Sequence, residues 1–390
     1  MTTTPKHTSW IEIKSCALKN NLEIFRNIIG KNTSLGVVLK SNAYGHGLVD
    51  VLSILHDKVD LIHVISPEDA LFIRGYEKKN NLSPKRILVL GSIDKNHLYD
   101  MMENNIELVL YGSEFLSLFE NINTKQKFQI HLHIDTGLGR EGLKVSQIDN
   151  EMICLEKIFD KVEIKGIMSH FANTEDVTDQ TYAKEQLGVF NETVIKLQKK
   201  YPGLANIEKH FAASAATMLL PESRFDSVRI GISLYGLWAS SETKVSYNVL
   251  SKELPDLQPV MSWKTKSQTV KKLEPGSFIG YGRSYKCECP TRIAVLPVGY
   301  FDGYPRILGN KAHVLVEGQR CPVIGRIMMN HIVIDITNVT NDNRQITVTL
   351  LGEDHGEKIT AEMIAEWSST INYEVVTRIG AHLPRILRTD

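Results

Sequence analysis

The regular alternation of strand and helix patterns most constrains this chain. Eight short runs rich in β-branched residues recur through roughly the first 240 residues, and segments with helical spacing of apolar residues separate them. Nearly continuous apolar strands joined by helices are typical of parallel sheets that helices cover. The eight runs are LGVVLK, LIHVIS, RILVLG, IELVLY, QIHLHID, EIKGIMSH, IEKHFAAS and VRIGISLYG.

Eight such units predict an α/β fold built on a closed (β/α)8 barrel of the TIM type. An open doubly wound sheet is the alternative, but the number of units and the lack of a glycine-rich first turn favour the barrel. After about residue 245 the pattern changes to short strands separated by turn residues, with little helix before TAEMIAEWSST. This change predicts a mostly antiparallel β domain at the C-terminal end.

We therefore predict three parts. Residues 1–14 contain the strand SWIEIK, which could begin either domain and which we assign to the β domain. Residues 15–245 form the barrel, and residues 246–390 form the mostly β domain.

Charge and composition exclude several classes of partner. The 45 basic residues balance the 45 acidic residues, so no net charge attracts nucleic acid or an anionic membrane. No apolar run approaches the ~20 residues of a membrane span, and the N-terminus has no signal-peptide pattern. The five scattered cysteines fit reduced thiols, and Cys287 with Cys289 lacks the companion ligands of a metal site. These features predict a cytoplasmic protein that binds small molecules or a second copy of itself.

A lysine follows the first predicted strand, in VVLKSNAYGHG at residues 37–47. Catalytic groups of such barrels lie at the C-terminal ends of the strands, and phosphate groups often bind to the loops that follow the seventh and eighth strands. A lysine enclosed there loses hydration, which lowers its pKa and frees its amine to form a Schiff base. Lys40 and a phosphate site together suggest pyridoxal phosphate, although a surface lysine is the alternative for Lys40 taken alone. Three further strand ends carry His170, Ser214, and Gly231 with Ile232.

The segment KSNAYGHG resembles the cofactor-lysine motif of the alanine racemase family. Seven more segments look like blocks of that family, occur in its order and extend over almost the whole chain. The chain is therefore identified as a member of this family. The segments are DTGLGREG (135–142), GIMSHFANTED (166–176), SAAT (214–217), VRIGISLYG (228–236), GYGRSY (280–285), PVGYFDGYPR (297–306) and YEVVTRIGAHLPRIL (373–387).

The resemblance implies a cofactor, pyridoxal 5'-phosphate, and two catalytic residues. Lys40 matches the lysine that binds the cofactor and serves as one base, and Tyr281 matches the tyrosine that serves as the other. Inverting a carbon centre requires acid–base groups on both of its faces. In the family this tyrosine comes from the β domain of the neighbouring subunit, which implies a head-to-tail homodimer.

Arg229 matches the arginine that faces the pyridine nitrogen. A guanidinium only donates hydrogen bonds, so a ring nitrogen opposite it must accept and stays unprotonated. The weaker electron sink should suppress transamination. The alternative is structural pairing of Arg229 with an acid such as Asp226.

The remaining matches concern the phosphate, the ring and the substrate. Tyr44, Ser214, Gly231 and Ile232 match the phosphate-binding residues, and His170 matches a histidine beside the ring. Arg140, Tyr300 and the backbone N–H of Met329 match groups near the substrate.

The chain departs from the family pattern around the substrate. His133 stands where many members have a carbamylated lysine that orients the arginine, so Arg140 must be held by another group, such as a bound anion. Asn330 replaces a common aspartate, Phe301 replaces an alanine, and the aromatic residue near the end is replaced by Ala381, which His382 follows.

These features predict interconversion of L- and D-alanine for peptidoglycan by a two-base mechanism. A racemase of broader range, acting on serine, lysine or ornithine, is the alternative. A basic-amino-acid decarboxylase and a non-catalytic pyridoxal-phosphate carrier are less favoured, because Arg229 and the residues beyond the barrel argue against them.

Overall fold

The computed structural model describes residues 7–389 except 120, 121, 123, 176–178, 252 and 341–344. Asp176 of one sequence block and the first six residues of the predicted N-terminal part lie outside the described residues. The chain divides into two compact units. The barrel unit comprises 19–40 and 55–258, and the β unit comprises the described residues of 1–18, 41–54 and 259–390. The predicted domain limits stay a prediction.

The N-terminal strand β1 (Ser9–Lys14) belongs to the β unit, and the barrel strands follow it. They are β2 (Ser34–Val38), β3 (Leu61–Val64), β4 (Arg86–Val89), β5 (Glu107–Leu110), β6 (Phe128–Asp135), the two-residue β7 (Leu143–Lys144), β8 (Val162–Met168), β9 (Glu208–Ala213) and β10 (Ser227–Ile230).

Eight of these strands form a closed parallel barrel. Their order is β5-β4-β3-β2-β10-β9-β8-β6, and pairing of β5 with β6 closes the ring. The predicted barrel is confirmed, and the open sheet is excluded because no strand edge remains between β5 and β6. β7 pairs only with the end of β6.

Local sequence signals place the start of the helix α4 (Pro67–Lys79). Ser66 caps α4, because its Oγ accepts a hydrogen bond from Asp69 N at 3.1 Å, and Pro67 occupies the first helical position. The described helical segments are α1 (Ser15–Ile29), α2 (Lys40–Tyr44), α3 (Leu48–Leu55), α4 (Pro67–Lys79), α5 (Leu98–Glu103), α6 (Leu116–Phe119), α7 (Ile148–Glu156), α8 (Thr181–Lys200), α9 (Ser214–Leu219), α10 (Ser241–Ser251), α11 (Ala361–Ser368) and α12 (Asn372–Thr377). Of these, α2 is a left-handed turn and not an α-helix.

Short 3-10 helices occupy several of the connections. They are His56–Lys58, Ser113–Phe115, Val145–Gln147, Pro202–Leu204, Pro221–Ser223, Ile232–Tyr235, Tyr281–Arg283, Tyr300–Asp302 and Arg306–Leu308. None of the helices in the described parts of the chain combines the length and apolarity needed to cross a bilayer.

Burial of apolar side chains stabilises the barrel unit, as the helix α8 illustrates. Leu187, Phe190, Val194 and Leu197 recur at helical spacing and are all buried. A cluster of buried side chains also joins β3, β4, β5 and β8, with members Leu61, Leu88, Val109, Tyr111 and Met168.

The β unit is mostly antiparallel, which confirms the predicted fold class. Its strands after β1 are β11 (Met261–Lys266), β12 (Thr269–Leu273), β13 (Phe278–Ile279), β14 (Tyr285–Lys286), β15 (Thr291–Leu296), β16 (His313–Val316), β17 (Gln319–Pro322), β18 (Ile332–Asp335), β19 (Thr347–Asp354), β20 (Glu357–Ile359) and β21 (Arg385–Arg388). The longest sheet of this unit has the strand order β17-β16-β19-β11-β1-β21, in which β1 pairs antiparallel with β11 and parallel with β21.

One predicted strand of the β unit is shorter than its sequence pattern. The run CPVIGRIM predicts a strand to residue 328, whereas β17 ends at Pro322. Gly325 has a φ angle of 75°, which ends the extended conformation, and Met328 N donates to His331 O at 2.9 Å in the following turn.

Candidate active site

Lys40 follows β2 at the C-terminal end of the barrel. Burial lowers the pKa of its ammonium group, the charge of Arg140 lowers it further, and Glu141 opposes this effect. A lysine with a lowered pKa keeps more of its side chain as the neutral amine, which is the form that attacks a carbonyl carbon.

A left-handed turn follows Lys40 directly. The φ angles of Ser41, Asn42, Ala43 and Tyr44 are 56°, 54°, 52° and 53°. This conformation costs roughly 1–2 kcal/mol for each residue other than glycine. Four such residues in succession therefore require strong local support, and strain of this kind concentrates at functional sites.

His46 and Arg385 brace this turn within the β unit. Nδ1 of His46 donates to Ala43 O at 3.1 Å and Tyr44 O at 3.0 Å, and burial lowers the pKa of His46 to about 4. The neutral ring thus keeps its proton on Nδ1. Arg385 Nη2 donates to Gly45 O at 2.8 Å.

The barrel unit brings seven predicted site residues to its C-terminal end. Four strands adjacent in the sheet, β2, β10, β9 and β8, end at or next to such residues. Arg140 lies in the loop after β6, and the charge of Arg140 lowers the pKa of Lys40 and of His170. The group consists of Lys40, Arg140, His170, Ser214, Arg229, Gly231 and Ile232.

Ser214 and Gly231 are joined at the ends of β9 and β10. The buried Oγ of Ser214 accepts a hydrogen bond from Gly231 N at 2.9 Å, and Ile232 begins a 3-10 helix directly afterwards. A hydroxyl and backbone N–H groups at adjacent strand ends are a suitable set for an anionic group.

Arg229 is held almost entirely by neutral acceptors. Nη1 donates to His210 Nδ1 at 2.8 Å, and Nη2 donates to Ser169 O at 2.7 Å, Phe211 O at 2.9 Å and His170 Nδ1 at 3.2 Å. Burial lowers the pKa of Arg229 to about 9, and the charge of Arg140 acts in the same direction. The guanidinium therefore stays charged at neutral pH.

Two histidines near Arg229 stay neutral. Burial, assisted first by the charge of Arg229, holds the pKa of His170 well below its ordinary value and lowers that of His133 to about 3. Nδ1 of His133 is buried and has no hydrogen-bond partner among the described residues. His133 thus cannot supply the negative charge of a carbamate.

Arg140 instead contacts a carboxylate that the sequence interpretation did not single out. Its Nε donates to Glu141 Oε1 at 3.1 Å. The charge of Glu141 also acts on Lys40 and Tyr111, so this carboxylate lies within electrostatic range of both. A negative group next to Arg140 is therefore present without lysine modification.

The β unit contains the other four predicted residues, of which Tyr281 is the most exposed. Tyr281 lies between the short strands β13 and β14, and 73% of its surface is exposed. Gly280 and Gly282 flank it with φ angles of 72° and 71°. This hairpin therefore presents the phenol to the surroundings of the unit.

Tyr300 and Met329 lie on two segments that the backbone ties together. Tyr300 N donates to Met328 O at 3.1 Å, and Phe301 N donates to Met329 O at 3.0 Å. A Cβ atom at Gly299 would lie 2.2 Å from both of these carbonyl oxygens, so the contact requires glycine. Tyr44, the fourth residue, belongs to the braced turn.

Three buried residues connected to this site were missed in the sequence: His210, which contacts Arg229 directly, and His131 and Glu107, which are reached through His210. His210 Nε2 lies 2.9 Å from His131 Nδ1, and His131 Nε2 lies 2.7 Å from Glu107 Oε2. The sequence signal that could have identified them is a polar residue within an otherwise apolar strand, as in QIHLHID, IEKHFAAS and IELVLY.

Comparisons with known sequences agree with these observations. A family model described as alanine racemase, N-terminal domain, matches residues 13–238, and one described as alanine racemase, C-terminal domain, matches residues 260–387. An alanine racemase of Leptospira interrogans is 38% identical over 98% of this chain and 96% of its own. One of Methanococcus maripaludis is 36% identical over 97% of this chain and 98% of its own.

Solved structures match over the same length. The crystal structure of alanine racemase from Bacillus anthracis with bound L-Ala-P has a TM-score of 0.88 and 30% identity, covering 99% of this chain and 97% of that one. The Bartonella henselae enzyme with covalently bound pyridoxal phosphate has a TM-score of 0.80 and 27% identity, covering 98% of this chain and 100% of that one.

A closed parallel barrel with an amine of lowered pKa at a strand end, followed by a mostly β domain, defines a two-domain barrel enzyme. The family models and the full-length relatives narrow this class further. The chain belongs to the alanine racemase family, and it is an amino-acid racemase, which is an isomerase.

Proposed function

We propose that this protein interconverts L- and D-alanine with pyridoxal 5'-phosphate by a two-base mechanism and supplies D-alanine for peptidoglycan. The observation that carries the proposal is the group of barrel residues at four adjacent strand ends, in which a lysine of lowered pKa accompanies a hydroxyl–glycine pair and a buried arginine. The names of the full-length relatives support alanine as the substrate.

The residues present fit this cofactor. Lys40 Nζ would hold its aldehyde carbon, and Ser214 with the N–H groups of Gly231 and Ile232 would hold its phosphate, together with Tyr44. His170 would lie beside the ring. When bound, the cofactor withdraws electrons from the α-carbon of the attached amino acid and so acidifies the α-hydrogen.

Two groups would move the α-proton. Racemisation removes a proton from one face of the α-carbon and returns one to the opposite face. We assign these transfers to Lys40 Nζ and to the Tyr281 hydroxyl. The lowered pKa of Lys40 favours its action as a base near neutral pH.

Arg229 would set the reaction type. Its guanidinium stays charged at neutral pH and only donates, so a ring nitrogen opposite it would stay unprotonated. This weaker electron sink favours simple return of the proton and disfavours transamination. A decarboxylase of this architecture needs an acid at that position, which argues against that alternative.

Arg140, Tyr300 and the Met329 N–H would bind the substrate. Arg140 would face its carboxylate, and Glu141 would orient Arg140 in place of a carbamate. Phe301 and His382 differ from the family pattern and contact each other, with ring centroids 4.8 Å apart. Their bulk makes the substrate range a property to be measured.

We infer a head-to-tail homodimer in which the barrel, predicted as 15–245, binds the cofactor and the β domain of the partner completes the site. Tyr281 and Met329 are 73% and 55% exposed in the single chain. Exposed aromatic and methionine side chains of this kind are enriched at protein interfaces.

The test is incubation of the cofactor-loaded protein with single enantiomers of alanine, serine, lysine and ornithine in heavy water. We expect α-deuterated alanine of both hands and far slower exchange of the others, measured by chiral separation and mass spectrometry. Lys40→Ala serves as the control and should lose both turnover and the visible absorption of the bound cofactor. Rapid exchange of serine or basic amino acids would show a broad-range racemase, and release of carbon dioxide would overturn the proposal.

A further inference from the structure

A chain of buried hydrogen bonds runs through the barrel from Arg229 to the opposite end of the strands. Arg229 on β10 contacts His210 on β9, His210 contacts His131 on β6, and His131 contacts Glu107 at the start of β5. The four residues are at most 3% exposed. Because β9 and β6 are not neighbours in the sheet, the imidazoles meet inside the barrel.

The chemistry of its two ends determines the direction of this chain. The Arg229 guanidinium only donates, so His210 Nδ1 must accept and the proton of this imidazole lies on Nε2. His210 Nε2 therefore donates to His131 Nδ1, which leaves the His131 proton on Nε2. His131 Nε2 then donates to the Glu107 carboxylate, which only accepts.

A protonated His131 does not fit this arrangement, because its Nδ1–H would face the N–H of His210. Each histidine thus has one tautomer that satisfies both of its neighbours. The ring of His131 also requires Gly166, since a Cβ atom there would lie 2.1 Å from His131 Nδ1.

Arg86 holds the carboxylate end in place. Its Nε and Nη2 donate to the two oxygens of Glu107 at 2.8 Å and 2.9 Å. Such two-point pairing fixes a carboxylate more strictly than a single bond does. Nη2 also donates to Glu208 Oε2 at 2.8 Å, and Glu208 in turn accepts from Ser227 Oγ at 2.7 Å.

We propose that Glu107, His131 and His210 are positioning residues that fix the direction of this chain and thereby keep Arg229 charged and correctly oriented toward the cofactor ring. The inference rests on the proposed role of Arg229. Among the described residues of the protein, none of the hydrogen-bond partners of Arg229 is a carboxylate. Glu107 supplies the nearest negative charge along the chain of bonds, and polarised hydrogen bonds strengthen one another.

The first test is neutron diffraction from crystals of the deuterated holoenzyme. We expect deuterons on His210 Nε2 and His131 Nε2 and none on either Nδ1. A deuteron on His210 Nδ1 would overturn the proposal. This result does not depend on which substrate is used, so it remains decisive even if alanine is not racemised and the proposed function fails.

The second test compares Glu107→Gln with Glu208→Gln. Both changes remove one carboxylate that pairs with Arg86, but only Glu107 contacts a histidine. In Glu107→Gln we expect kcat to fall about tenfold with little change in KM. Half-transamination, which converts alanine and the cofactor into pyruvate and pyridoxamine phosphate, should become more frequent per turnover.

Glu208→Gln should retain the wild-type kcat and product ratio. Equal losses in the two variants, or no change in either product ratio, would contradict the proposal. Thermal unfolding of both variants checks that the barrel is intact, and the neutron experiment on the wild-type protein decides the matter if Glu107→Gln does not fold.

Discussion

Burial acts on two cations of the candidate site with different consequences. It lowers the pKa of both Lys40 and Arg229. The ordinary pKa of arginine is far higher than that of lysine, so Arg229, with a pKa of about 9, remains charged at neutral pH. The ammonium group of Lys40, in contrast, becomes easier to deprotonate. One enclosed environment thus maintains a fixed charge and also prepares a nucleophile.

The hydroxyl of Tyr281 can be tested at the residue scale. We expect Tyr281→Phe to lower kcat about 10²- to 10⁴-fold in at least one direction, because it removes one proton-transfer group. The visible spectrum of the bound cofactor should remain. Racemisation is measured in both directions by circular dichroism.

Tyr285→Phe is the matched control, since Tyr285 lies on the same hairpin and packs against its buried side chains. It should retain nearly the wild-type rate. Full activity of Tyr281→Phe in both directions would refute the assignment of the second base.

At the scale of elements, the left-handed turn after Lys40 depends on residues distant in the sequence. Gly45 follows the turn with a φ angle of 80°, and a Cβ atom there would lie 2.2 Å from Val376 O in α12. The tilted pair of Tyr44 and Tyr373, with ring centroids 6.3 Å apart, packs the turn against the same helix. The turn is therefore held by the β unit.

Gly45→Ala is expected to destabilise the protein more than an alanine at an unobstructed glycine. Gly356 provides the control, because its φ angle is 88° and nothing lies within 4 Å of an added Cβ atom. Gly356→Ala should cost about 1–2 kcal/mol from backbone conformation alone. Gly45→Ala should cost a further ~1–3 kcal/mol from the clash with Val376 O.

Urea denaturation of both variants measures the difference. Equal free energies of unfolding would show that α12 moves away without cost, and that the turn is not held at this contact.

At the scale of the whole molecule, complementation tests whether the site is shared between two copies of the chain. Lys40→Ala and Tyr281→Ala subunits should each be inactive as homodimers. A mixed dimer would contain one site with both Lys40 and Tyr281, and about half of randomly paired dimers are mixed. Recovery of about a quarter of wild-type activity is therefore expected on co-expression.

No recovery, despite mixed dimers isolated through two different affinity tags, would mean that Lys40 and Tyr281 act within one chain. Gel filtration of the wild-type protein provides the accompanying measure of its oligomeric state.

Much of the fold follows from periodicity that is local in the sequence. Each of the eight barrel strands overlaps one of the eight apolar runs, and Lys40, His170 and Ser214 lie at or just after strand ends as predicted. Strand and helix periods are read over windows of about 11–18 residues, which suffices for element type and order. The strand predicted through CPVIGRIM was too long because the window does not detect a positive φ angle at Gly325.

The sequence by itself determined the barrel, the mostly β domain and the family, because strand pattern and ordered motifs are properties of contiguous residues. Only the tertiary structure revealed the series of hydrogen bonds from Arg229 to Glu107, because these bonds join residues that are 19, 79 and 24 positions apart in the sequence. It also decided that Glu141 contacts Arg140 and that four residues other than glycine adopt a left-handed turn. Intrinsic preferences oppose such a turn, so packing against residues distant in the sequence must add to the local hydrogen bonds that stabilise it.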